Sequence, residues 1–198
     1  MPEFASRDPR TPGFWDERFE QGFTPWDRGG VPQGLRDFVA RAPAPLATLI
    51  PGCGSGYELA FLCEAGWDAV AIDFSPAAVE TAKGAVGPWA GRVVEADFFT
   101  YAPPRPLELI YEQAFLCAMP PVLWPRLAAR WAELLPSGGL LAGFFFFGES
   151  PKGPPFGIAR AALDALLLPH FECVEDEPVE DSLPVFAGKE RWMEWRRR

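Results

Sequence analysis

An α/β fold built on one seven-stranded, mostly parallel sheet is what this sequence predicts, on three observations. From residue 46 onward, short apolar runs alternate with helical stretches, the pattern of successive βα units. A glycine-rich turn, PGCGSG at 51–56, leads from the first of these runs directly into a helix, as a ligand-binding strand–helix turn does. The last two runs have no helix between them, only a turn bearing Pro184 and Gly188, so they are expected to pair antiparallel at one edge.

The elements follow in order. Residues 1–11 are polar with two prolines and read as a loose arm. Residues 12–22 place Trp15 and Phe19 four apart on one helical face, with Asp16, Glu17 and Glu20 on the other sides. The stretch TPWDRGGVP breaks that helix, and PQGLRDFVAR forms a second one that ends before Pro43. Strands are expected at 46–50, 67–73, 92–97, 107–112, 139–147, 171–179 and 190–196, with helices at 55–65, 75–85, 121–135 and 157–169. No internal repeat or linker separates parts of the chain, so 1–198 is read as one domain with its α/β core over 46–198.

Composition narrows the function classes. Hydrophobic residues make up 48% and charged residues 23% of the 198, the balance of a soluble globular protein. No apolar run approaches the ~18 residues of a membrane span, and MPEFASRDPR lacks the apolar region of a secretory signal. A cytoplasmic protein with no membrane partner is expected. A net charge of −9 argues against nucleic acid, whose affinity rests on Lys and Arg; Arg196–Arg198 is a basic chain end. Cys53, Cys63, Cys117 and Cys173 show no C-x-x-C pairing and no nearby histidine, so neither a metal site nor a disulfide framework is expected.

The turn carries the chemistry. Gly52, Gly54 and Gly56 let the chain bend sharply where a helix N-terminus offers free N–H groups, so a polar ligand belongs there. Asp73, followed by Phe74, ends the second strand 21 residues after Gly52, where a carboxylate can accept ribose hydroxyls. Asp97, followed by Phe98, ends the third strand, where it can meet the amine and ring edge of adenine. Together the set favours an adenosyl ligand over a bare turn with helix-capping aspartates. The G-x-G-x-G spacing displaces the third glycine of a pyrophosphate fingerprint, which favours S-adenosylmethionine over NAD.

With FWDERFEQGFTPWDRGGVP, PGCGSGYELAFLCEAGWDAVAIDFS, EADFF and IYEQAFLCAMPP in hand, the chain resembles the thiopurine S-methyltransferase family of S-adenosylmethionine-dependent enzymes over residues 11–198. Within it the resemblance is closer to the thiol, thiocyanate and halide methyltransferases. It implies a Rossmann-like class I methyltransferase fold, helices on both faces of the sheet, whose seventh strand inserts antiparallel between the fifth and sixth. It also implies that residues 12–42 fold over the cofactor as a lid, with Trp15, Phe19 and Trp26 around the cofactor. Gly52 matches the first motif glycine, Asp73 the ribose position, Asp97 with Phe98 the adenine pair, and Gln113 a position lining the methionyl end and the substrate. Two departures stand out: tyrosines occur in the halide-accepting plant branch where this chain has Gln113 and Phe145, and the human-type thiopurine pattern has arginine at the Gln113 position.

The expected reaction is methyl transfer to a small soft nucleophile, a thiol or sulfide first, by in-line displacement that demands alignment and a dry pocket. Thiopurines, halides, thiocyanate and selenium or tellurium species are the alternatives within the family; an NAD(P)-dependent reductase or a non-catalytic nucleoside-binding domain are alternatives outside it. Phe115, Phe144–Phe147 and Phe156 supply aromatic surface, at least two of the FFFF run being expected to pack against helices. Glu112 is the candidate to deprotonate a thiol or attract the sulfonium charge. His170 reads as a helix-end or loop residue, and Cys53 and Cys117 as structural. A monomer is expected.

Overall fold

Strands form where the apolar runs lie: β1 (Ala47–Pro51), β2 (Asp68–Asp73), β3 (Val93–Glu95), β4 (Leu109–Gln113), β5 (Leu140–Phe146), β6 (Phe171–Pro178) and β7 (Glu190–Arg197). The computed structural model describes residues 3–148 and 152–198. One seven-stranded sheet runs β3-β2-β1-β4-β5-β7-β6. It is mostly parallel, and β7 lies antiparallel between β5 and β6, with Gly143 opposite Met193 and Cys173 opposite Trp195. By contacts the chain divides into two compact units, Met1–Pro45 with Leu49–Ala102, and Leu46–Thr48 with Pro103–Arg198. No helix among the described residues is long and apolar enough to cross a membrane.

The first unit holds α1 (Pro12–Glu20), α2 (Gln33–Arg41), α3 (Tyr57–Glu64) and α4 (Pro76–Ala85). Leu49, Leu59, Leu62, Ile72 and Val79 form its core, the apolar positions that period-two strands and period-3.6 helices turn inward. Helix α4 starts cleanly because the Ser75 hydroxyl accepts the Ala78 N–H at 3.1 Å and Pro76 follows at the first helical position. The residue that α1 buries is Phe14, at 4% exposure; Trp15 and Phe19 are half-buried. Residues 3–11 carry contacts of their own: the Ser6 N–H donates to both Glu17 carboxylate oxygens at 3.1 Å, and Phe4 meets Phe23 at 5.4 Å between ring centroids.

The second unit holds α5 (Phe115–Ala118), α6 (Trp124–Leu134) and α7 (Arg160–Leu167), around a core that includes Tyr111, Trp131, Phe145, Phe171 and Trp195. Of the FFFF run, Phe144 and Phe145 are buried, and Phe144 packs edge-on against Trp192 at 5.1 Å. Two expected helices are shorter in fact. The 157–169 stretch begins its helix only at Arg160, because Ile158 is drawn into an extended bridge with Phe147 and its amide donates to the Phe146 carbonyl. The 121–135 stretch splits into a 3₁₀ turn, Pro121–Leu123, and α6.

Candidate active site

The glycine turn is built by backbone sterics. Gly52, Gly54 and Gly56 all have positive φ, +62°, +51° and +76°, a region that costs a Cβ-bearing residue ~1–2 kcal/mol. Gly54 faces Phe19, whose Cζ would lie 3.9 Å from a Cβ placed there. Gly56 is turned elsewhere: a Cβ on it would come within 3.0 Å of Val86 and 3.1 Å of Ala82, so this glycine lets α3 pack on the end of α4. The turn is tied to β2, where the Cys53 N–H donates to the Ile72 carbonyl at 3.1 Å.

Asp73, at the end of β2, is buried, with 8% exposure. Its Oδ1 accepts the Ser75 N–H at 3.0 Å and its Oδ2 sits 3.4 Å from the Gly54 N–H. Burial lifts the carboxyl to about 6, the N–H groups of Ser75, Gly54 and Phe74 hold it down in part, and nearby Asp16 adds to the rise. Phe74 beside it is half-buried.

Aromatic side chains from the N-terminal segment gather over this turn. Trp15 and Trp26 meet edge-to-face at 5.5 Å and 80°, and Phe19 meets Trp26 at 6.2 Å and 69°, geometries that aromatic quadrupoles favour. The Trp15 indole N–H donates to the Pro9 carbonyl at 2.8 Å. Two carboxylates fasten the segment down. Asp16 accepts the Ser75 hydroxyl at 2.6 Å and the Ala77 N–H at 3.1 Å, at the positive end of α4. Asp27 accepts the Ser55 hydroxyl, inside the glycine turn, and the Gly29 N–H at 2.7 Å. In the same unit Glu58, in the first turn of α3, is buried and lifted to about 7, with Asp27 adding to the shift. Burial also pushes the Cys53 thiol up, so it is no ready nucleophile.

Asp97 departs from its expected setting. It lies two residues past β3, exposed, with its Oδ1 accepting the Phe99 N–H at 2.9 Å and its carbonyl accepting Thr100 and Tyr101. The strand expected over 92–97 stops at Glu95 because this aspartate captures the following amides in a turn. Phe98 is buried, its ring 5.9 Å from Phe99.

The second unit brings Glu112 and Gln113 together at the end of β4. The Tyr111 hydroxyl donates to Gln113 Oε1 at 2.7 Å, and Gln113 pairs in register with Phe144. Ala114 then adopts φ +58°, rare for a non-glycine residue, to turn the chain into α5. The turn brings the Leu116 N–H 3.1 Å from Glu112 Oε1. Glu112 is 1% exposed, and its Oε2 has no hydrogen-bond partner. Burial lifts this carboxyl to about 8, the Leu116 and Phe115 N–H groups hold it down in part, and Glu190 pushes it up. The Cys117 thiol is pushed up by burial and by Glu112 and Glu190. His170 lies in the corner between α7 and β6, where its carbonyl accepts Arg197 and Arg198. Phe145, in β5, is core.

Five residues that sequence reasoning passed over belong to this geometry: Asp16, Asp27, Ser55, Glu58 and Ser75. Ser75-Pro76 was legible as a helix start, and the Asp27 of TPWD sits beside the tryptophan already singled out. Nothing local marks Asp16, whose partner Ser75 is 59 residues away.

A parallel sheet closed by an antiparallel seventh strand, with a glycine turn and acidic strand end at its cofactor side, defines a class I S-adenosylmethionine-dependent methyltransferase. Solved structures share the fold: an N1-methyltransferase of 1,6-didemethyltoxoflavin from Burkholderia thailandensis, with S-adenosylhomocysteine bound, covers 99% of this chain and 93% of its own at 19% identity and a TM-score of 0.75. A model of the thiopurine S-methyltransferase family matches residues 10–198, and the chain belongs to that family. It is 31% identical to thiocyanate methyltransferase 1 of Brassica oleracea over 93% of this chain and 85% of that protein. It is 27% identical to a thiopurine S-methyltransferase of Shewanella sp. (strain MR-4) over 90% and 93% respectively.

Proposed function

We propose that this methyltransferase acts on a small soft nucleophile, a thiol or sulfide in the first instance. The observation that carries the cofactor assignment is the set formed by the positive-φ glycine turn, the buried Asp73 carboxyl bonded to it and the Trp15–Phe19–Trp26 cluster next to Gly54. These residues fit S-adenosylmethionine: Gly52 and Gly54 leave backbone open to a ligand, Asp73 can accept ribose hydroxyls, and aromatic faces attract a sulfonium cation. When bound, the cofactor supplies an electrophilic methyl group whose bonding pair returns to sulfur as the nucleophile's pair forms the new bond. Asp97 with Phe98 takes the adenine end, Phe74 flanks the ribose carboxylate, and Gly56 holds the turn's helix in place. On the acceptor side we place Glu112 and Gln113.

The two stretches 12–42 and 46–198 then act as lid and core of one catalytic domain. Asp16 and Asp27 hold the lid by hydrogen bonds to Ser75 and Ser55, which keeps water from the reacting atoms. Soft nucleophiles need no strong base, in keeping with a chain whose single histidine lies at a helix end. The thiol reading over a thiopurine one follows the greater identity to thiocyanate and thiol methyltransferases, 31% against 27%. We further propose a cytoplasmic monomer acting on small molecules rather than nucleic acid, in keeping with a net charge of −9 and four free cysteines. The test is release of S-adenosylhomocysteine with hydrosulfide, small thiols, thiocyanate, iodide, a thiopurine and selenite, against an acceptor-free control. Turnover of hydrosulfide or thiols is expected; turnover of the thiopurine alone overturns the assignment.

A further inference from the structure

Glu112 is an unusual carboxyl to find where a base would be sought. One oxygen is fixed by the Leu116 N–H at 3.1 Å, and the other is buried with no partner. The strain at Ala114 and the bare face of Gly143 opposite it make this placement specific: a Cβ on Gly143 would lie 1.8 Å from the Glu112 carbonyl oxygen. An ionised carboxylate with an unsatisfied buried oxygen is costly, whereas a carboxylic acid there has a proton to donate.

We infer that Glu112 is a carboxylic acid whose Oε2–H binds the acceptor as an anion, so that the enzyme selects nucleophiles arriving already deprotonated: hydrosulfide, thiocyanate or a preformed thiolate. This rests on the acceptor-side placement proposed above. The groups acting on Glu112 support the protonated form. Glu190 of β7, which accepts the Ser182 hydroxyl at 2.8 Å, and Cys117 of α5 are both acidic, and with burial they lift Glu112 to about 8. Such an acid is not a thiol base at neutral pH. Methylation of an anion releases no proton, because the charge is lost as the new bond forms, and none is needed from Glu112. The hydrogen bond is strongest to the anion before transfer, so it lowers KM and leaves kcat unraised.

Thiocyanate is the discriminating acceptor because its charge does not change across the assay range. In the full-length enzyme its KM is expected to be flat up to about pH 7.5 and about tenfold higher at pH 9, with kcat changing less. Glu112→Gln, which carries N–H donors at every pH, is expected to keep turnover and abolish that rise. Glu112→Leu is expected to raise KM at neutral pH by about tenfold or more. A readout without turnover accompanies these: the infrared C=O band of a protonated carboxyl should be present in the wild type at pH 7, missing in Glu112→Gln, and lost above about pH 8. A wild-type KM flat to pH 9, loss of all turnover in a folded Glu112→Gln, or methylation of thiols with no turnover of thiocyanate or hydrosulfide each overturns the inference. Absence of turnover on every acceptor in the wild type instead sinks the proposed function itself.

Discussion

Asp73 shows how one side chain can serve both fold and ligand. Its two oxygens join the glycine turn to the start of α4, and the same burial that raises its proton affinity to about 6 strengthens any hydrogen bond that it accepts from a ligand hydroxyl. Asp73→Ala is expected to weaken S-adenosylmethionine binding at least tenfold in isothermal titration, from the loss of charge-assisted bonds worth ~1.5–3 kcal/mol. Unchanged affinity would remove the ribose assignment. This residue was legible in the sequence because it ends a strand at a fixed distance from the glycine turn. Asp97 was legible as a position and not as a setting: its side chain closes a turn on Phe99, a choice made by three local amides.

At the scale of elements, β4 and β5 approach so closely at Glu112 and Gly143 that the pair depends on a missing side chain. Gly143→Ala is expected to destabilise the fold by at least ~3 kcal/mol, beyond ordinary overpacking, because the clash is with backbone. Urea unfolding checks it; a loss below ~1 kcal/mol would mean that the strands shift apart at little cost. The element α1 makes a parallel case. Its amphipathic pattern placed Trp15 and Phe19 on one face, yet Phe14 fills the core and the other two meet Trp26. Helical periodicity reports a face, and what lies opposite that face comes from elsewhere in the chain. The short α5 had no periodicity to display, being four residues long, so only the structure could show that it bonds Glu112.

Across the whole molecule, three buried carboxyls bind protons on folding. Glu58, Asp73 and Glu112 rise to about 7, about 6 and about 8 from ordinary values of 4.5, 3.8 and 4.5. Raised carboxyls mean that the folded chain holds more protons than the unfolded one between these limits, so their stabilisation is complete below about pH 4 and is lost as pH climbs through 6 to 8. Asp8 and Asp176 are shifted the other way, and their effect is confined to more acid solution. The cofactor-free protein is therefore expected to melt at a higher temperature near pH 5 than near pH 8.5 in differential scanning calorimetry. The opposite order would show that these groups are ionised in the folded chain at neutral pH.

The sequence by itself determined the order of strands and helices, the glycine turn, the acidic end of β2 and the antiparallel last pair, because each follows from local propensity and short-range spacing. Tertiary structure alone decided that Asp16 caps α4 across 59 residues, that Asp27 reaches Ser55 across 28, and that Glu112 keeps its proton. The physical reason is common to all three. Hydrogen-bond partners and desolvation are set by whatever the fold packs against a side chain, and those neighbours come from distant parts of the chain.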